Sequence, residues 1–128
     1  MSTRCQIGIY RTKPTDLTKY HALLYRHSDG YPEGVLPDIT PFLETFHSQR
    51  GMSDVEYLAA WLIYHLIRPY DDANYGKYLG HGISTRFHGD IEYFYAISPG
   101  LVEVYECHYD GNPKHWTVVK DVKIAVAD

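Results

Sequence analysis

Between Ser53 and Ile67 the chain is apolar nearly all the way round a helix. Val55, Leu58, Ala59, Leu62 and Leu66 recur at helical spacing as one stripe, and Tyr57, Trp61, Tyr64 and Arg68 form a second, aromatic stripe elsewhere on the cylinder. A helix of this kind is covered on more than one side. The cover is either the rest of its own domain or another subunit, and a homo-oligomer contact is the expectation. Ser53 with Glu56 three residues on reads as a capping box, and Pro69 sets the end.

The flanking segments limit how this helix can be housed. Thr3 to Tyr10 alternates in part and reads as a strand, and Tyr20 to Arg26 reads as its antiparallel partner. Thr40-Pro41 is a helix start with proline at the first helical position. Phe42, Leu43 and Phe46 supply that helix with an apolar stripe, Gly51 stops it, and Pro37-Asp38 adds a lead-in turn. After a long irregular segment from Arg68 to Gly82, the remainder is strand: a short piece at Ile83 to Phe87, then Ile91 to Ser98 with Ile91, Tyr93, Tyr95 and Ile97 on one face. Pro99-Gly100 turns the chain into Leu101 to Tyr109, and His115 to Val126 closes it. The order is β-β-α-α-β-β-β. Without strand-helix-strand alternation, it predicts an α+β fold: an antiparallel sheet of about five strands with two helices packed on one face. Residues 1–128 fit one domain.

Composition excludes some functions. A net charge of −4 argues against general nucleic-acid binding, which needs a basic face to displace counterions. No apolar run approaches the ~20 residues that span a bilayer, and Met1 to Cys5 carries no apolar signal region, so no membrane partner is expected and the cytoplasm is the expected location. Cys5 and Cys107 lack any metal or disulfide spacing and read as reduced, buried thiols. The 13 tyrosines and 8 histidines point to a binding face, because each phenol joins a large apolar body to a polar tip.

The densest chemistry lies in Leu24-Tyr25-Arg26-His27-Ser28-Asp29-Gly30-Tyr31-Pro32-Glu33-Gly34. Asp-Gly marks a turn, and Pro32 biases Tyr31 towards an extended backbone. Two readings stand side by side: a connector whose polar groups tie down backbone, or a rigid loop presenting Arg26, His27, Asp29 and Tyr31 to a small anionic ligand. Arginine offers a planar fork for phosphate or carboxylate oxygens, and tyrosine a face for a base. No P-loop or dinucleotide fingerprint accompanies them. His81-Gly82 with His88-Gly89-Asp90 could ligate a metal or supply an acid and a base, although none of the strong metal spacings is present. Asp71-Asp72 with Asn74 has too few oxygen ligands at fixed spacing for a calcium loop.

Three stretches together resemble a known group: Ser2-Thr3-Arg4-Cys5, Tyr25 to Glu33, and His88-Gly89-Asp90-Ile91-Glu92-Tyr93. The resemblance is to small phage and prophage proteins that share a Tyr-x-His-x-Asp-Gly-Tyr-Pro loop after an opening strand. Within that group the chain is distantly similar to the Thoeris anti-defence proteins, which sequester cyclic ADP-ribose isomers as oligomers without cleaving them. The resemblance implies a phage-type protein in the host cytoplasm that captures a nucleotide-derived immune signal.

The sequence thus predicts a binder without cofactor, metal or catalytic residue. Arg26, Arg68 and Arg86 would pair with phosphate, Tyr31, Tyr75 or Tyr78 would stack on a base, and His27, His88 and Asp90 would hold hydroxyls, with Asp29 in the same loop. The rivals are a phosphodiesterase using His81, His88 and Asp90, and a protein-binding inhibitor of a host defence component whose tyrosines form a flat partner-facing patch.

Overall fold

The structure, a computed structural model, describes residues 2–69 and 80–126. Strands β1 (Cys5–Ile9) and β2 (Ala22–Arg26) are followed by helices α1 (Pro32–Arg50) and α2 (Val55–Ile67). Then come strands β3 (His81–Ile83), β4 (Tyr93–Ser98), β5 (Leu101–Glu106) and β6 (Thr117–Lys123), with a 3-10 turn at Pro113–His115 before the last. The strands form one six-stranded sheet in the order β3-β2-β1-β4-β5-β6. The class is α+β, as the order of elements predicts.

The sheet is mixed, not antiparallel as expected. β1 and β4 run parallel, with Cys5 opposite Tyr93 and Ile9 opposite Ile97, and every other neighbouring pair is antiparallel. The β1–β2 hairpin occupies one edge of β1, and β4 takes the other after the long excursion through both helices. Parallel neighbours need a crossover of this length, and nothing local in the sequence announces such a pairing.

Both faces of the central strands are buried. On one face Cys5, Ile7, Ile9, Leu24, Tyr95 and Ile97 pack against Val35, Ile39 and Leu43 of α1 and Leu58, Leu62 and Leu66 of α2. On the other, Tyr10, Leu23, Phe94 and Ala96 pack with Phe87, Ile91, Cys107 and Trp116, contributed by the chain's own connecting segments. Ile91 therefore lies on the face opposite Tyr93, Tyr95 and Ile97, because it precedes the strand and turns inward before the alternation begins. That second face needs no subunit to cover its aromatic residues.

Helix α1 begins at Pro32, eight residues before the expected start at Thr40, and carries Pro37 and Pro41 in its interior. An interior proline costs about 3 kcal/mol, which is why the stretch reads as a turn. Val35, Ile39, Leu43 and Phe46 lie buried at helical spacing, and burying each contributes roughly 1.5–3 kcal/mol; four such residues outweigh two prolines. At α2 the expected capping box does not form. Asp54 is the cap residue without a side-chain cap bond, and its carboxylate pairs instead with Arg50 at 2.9 Å. Leu58, Leu62 and Leu66 face the core, whereas Tyr57, Trp61 and Tyr64 stand 52%, 55% and 55% exposed. Among the described residues no helix is long and apolar enough to cross a membrane.

Candidate functional site

One residue row crosses the sheet face opposite the helices. Gly82 of β3 pairs with Tyr25 of β2, Tyr25 with Gln6 of β1, Gln6 with Phe94 of β4, and Phe94 with Tyr105 of β5. Gln6 is fully buried, an amide in an otherwise apolar strand. A buried amide needs partners, and here they are the backbone of a connecting segment: Nε2 donates to the Arg86 carbonyl and Oε1 accepts from the His88 N–H, both at 2.9 Å. The core thus fixes the segment that carries Arg86, His88 and Asp90.

These three residues, with Tyr25, Gly82, Ile83, Ser84 and Thr85, line an open cleft of about 600 Å³. That size lies within the range of small-molecule sites. His88 meets Tyr25 edge to face, ring centroids 5.4 Å apart. The Tyr25 hydroxyl lies 3.2 Å from His27 Nδ1, and burial is the main cause holding its pKa above the ordinary phenol value. Arg4 reaches the same corner, its Nη1 3.2 Å from Asp90 Oδ2 and its Nε 3.5 Å from His27 Nδ1. Arg86 is exposed at the rim, with one long contact of 3.4 Å to the Phe87 carbonyl. Cationic, aromatic and hydrogen-bonding groups therefore converge on one opening.

Arg26 follows Tyr25 directly, yet strand alternation sends it to the other face. Its Nη1 donates to Asp38 Oδ2 at 2.8 Å, its Nε to the Ser28 carbonyl at 2.9 Å, and its Nη2 approaches the Gly34 carbonyl at 3.5 Å. It is 7% exposed and binds the loop to α1. Arg68, His65, His81 and Asp38 border a separate cleft of about 350 Å³ with it. His81 pairs with Arg26, so it stands across the sheet from His88 and Asp90. The expected His81, His88 and Asp90 set is not assembled, and among the described residues no three His, Cys, Asp or Glu side chains are grouped to hold a metal.

The Asp-Gly-Tyr-Pro loop is built by close backbone approach. Gly30 N–H donates to the Thr3 carbonyl at 2.9 Å, and a Cβ on Gly30 would lie 2.8 Å from that oxygen. A Cβ on Gly34 would lie 2.5 Å from the Asp29 carbonyl oxygen. Asp29 has φ 56°, a conformation Asp tolerates better than most residues. Its carboxylate accepts from the Tyr31 hydroxyl at 3.1 Å, the main cause raising that phenol's pKa. The buried Tyr95 hydroxyl donates to the Gly30 carbonyl at 2.6 Å. Asp29 and Tyr31 thus engage each other, and neither lines the Tyr25 cleft.

Comparison of the chain with family models, with curated proteins and with solved structures returns no match. The site rests on its own geometry.

Of the residues expected to form one pocket, Arg86, His88 and Asp90 share the Tyr25 cleft, and His27 touches it through the Tyr25 hydroxyl. Arg26 and Arg68 share the other cleft. Tyr75 and Tyr78, like Asp71, Asp72 and Asn74, lie outside the described residues. Sequence reasoning missed Arg4, Gln6, Tyr25 and Gly82 as site residues. Gln6 had a legible signal, a lone amide between Cys5 and Ile7 in a strand. Both thiols are buried, and burial pushes Cys5 up to about 12 and Cys107 higher still, so neither offers a thiolate nucleophile.

Proposed function

We propose that this chain captures a small nucleotide-derived anion, a cyclic ADP-ribose isomer or a related signal, in the Tyr25 cleft and holds it intact, as a phage-type anti-defence protein would. The observation that carries this reading is the convergence of Tyr25, Arg86, His88 and Asp90 on one cleft, with Arg4 paired to Asp90, in a chain whose net charge is −4. Guanidinium groups suit phosphate oxygens, the Tyr25 and His88 rings suit a base, and Asp90 suits ribose hydroxyls. The ligand class comes from the loop resemblance; the location comes from the cleft. On this reading the protein acts in the host cytoplasm as a homo-oligomer joined through Tyr57, Trp61 and Tyr64.

Calorimetric titration with cyclic ADP-ribose isomers, ADP-ribose and cyclic dinucleotides tests it. Saturable binding to one of them, weakened at least tenfold by Arg86→Ala, is the expected result. Absence of heat with every ligand overturns it. The protein-binding inhibitor is a second reading, favoured by the same exposed aromatic stripe on α2.

A further inference from the structure

Among the described residues, Tyr25 has no side chain paired with it on the outer edge of the sheet. Directly opposed residues of an antiparallel pair hold their Cβ atoms ~5 Å apart and normally cover one another. The residue opposite Tyr25 is Gly82, at the centre of the three-residue edge strand β3. A Cβ built on Gly82 meets no heavy atom of the described residues within 4 Å.

The usual reasons for a glycine in a strand are absent here. Gly82 is not among the residues with positive φ, and the β2–β3 register runs unbroken from Leu24 to Arg26. Among the described residues no neighbour would crowd a Cβ at this position, unlike at Gly30 and Gly34. A strand glycine often marks a bulge, a tight bend or a place where a ligand or another backbone comes close, and Gly82 fits neither of the first two.

We infer that Gly82 is the floor of a seat for a flat ring, the purine-type base of a nucleoside phosphate, laid against the Tyr25 flank with its phosphate directed to Arg86. This rests on the capture reading and adds the ligand's orientation and the residue that selects for a planar group. Arg86 suits the phosphate because it has no ion-pair partner among the described residues, whereas Arg4 is engaged with Asp90. A side chain at position 82 would fill the seat.

The test uses the full chain with three probes: ADP-ribose, adenosine monophosphate and ribose 5-phosphate. Wild-type protein should bind both adenine nucleotides more tightly than ribose 5-phosphate. Gly82→Leu should weaken the adenine nucleotides at least tenfold, leave ribose 5-phosphate within threefold and leave the melting temperature unchanged or raised. Arg86→Ala should weaken all three. Nitrogen-15 glycine labelling of the wild-type chain gives a readout independent of any variant's folding, because the Gly82 amide resonance should move with adenosine monophosphate and not with ribose 5-phosphate. Adenine-nucleotide binding with a stationary Gly82 resonance, or undiminished in a folded Gly82→Leu, overturns the seat while capture stands. No binding of any probe by the wild-type chain overturns the seat, and capture then stands or falls on the titrations with cyclic ADP-ribose isomers and cyclic dinucleotides.

Discussion

Gln6 and His88 lie 82 residues apart in sequence and are joined by a 2.9 Å hydrogen bond from the His88 N–H to the buried Gln6 Oε1. With the second bond, from Nε2 to the Arg86 carbonyl, the amide converts an exposed connection into a fixed wall of the cleft. Replacing it with leucine keeps the volume and strands two backbone groups, each at about 1–3 kcal/mol when buried. Gln6→Leu should therefore unfold at lower denaturant with an unchanged slope and lose ligand affinity. Chemical denaturation and calorimetric titration on the same preparation check both effects.

Arg26 and Arg86 make opposite predictions. Arg26 spends its donors on Ser28, Asp38 and Gly34, and hydrogen bonds to a charged group contribute about 1.5–3 kcal/mol each. Arg26→Met should lower stability by roughly that amount or more while the folded fraction binds ligand within threefold of wild type. Arg86→Ala should leave stability within about 0.5 kcal/mol, as surface substitutions do, and lose affinity. Paired melting and binding curves separate the two.

That contrast also marks where sequence legibility ends. Arg86, His88 and Asp90 line one cleft because they are near in sequence and one short segment carries them. Tyr25 and Arg26 are adjacent, yet the two-residue period of a strand points them to opposite faces, so the arginine borders one cleft and the preceding tyrosine the other. The α2 stripes are legible from their period. The parallel β1–β4 pairing is not, because it depends on contacts far apart in the chain, and the start of α1 is hidden behind prolines whose cost is offset only by tertiary burial. Gly30 and Gly34 show what holds the Asp-Gly-Tyr-Pro loop in place: the missing side chains let backbone meet backbone.

Glu103 is a buried carboxylate on the cleft side of the sheet, 7% exposed. Its Oε1 has no hydrogen-bond partner among the described residues, and its Oε2 is 4.0 Å from Lys13 Nζ. Burial raises its pKa, Lys13 opposes the rise and Asp121 adds to it. A raised folded pKa favours the protonated form in the fold, so the group's contribution is fully present below its ordinary 4.5 and is lost as pH rises through the folded value. Glu103→Gln should melt higher than wild type at pH 7, with the gap closing below about pH 4.5. A melting series across that range checks it.

The exposed face formed by Tyr57, Trp61 and Tyr64 is continuous along α2, and Trp61 and Tyr64 already contact edge to face at 5.8 Å. Large exposed aromatic patches mark interaction sites. If this face joins subunits, Trp61→Arg should convert an oligomer to a monomer with its melting curve intact at low concentration. Sedimentation velocity over a hundredfold concentration range reads the change.

The central claim, capture without cleavage, is tested most directly by recovering the ligand. The protein is incubated with a cyclic ADP-ribose isomer, filtered to remove what is free, and denatured by heat, and the released material is weighed by mass spectrometry. The account predicts depletion from the filtrate and return of the same mass in stoichiometric amount from wild-type protein, with neither from Arg86→Ala. A new product mass, or an undepleted filtrate across the whole set of isomers, would contradict it.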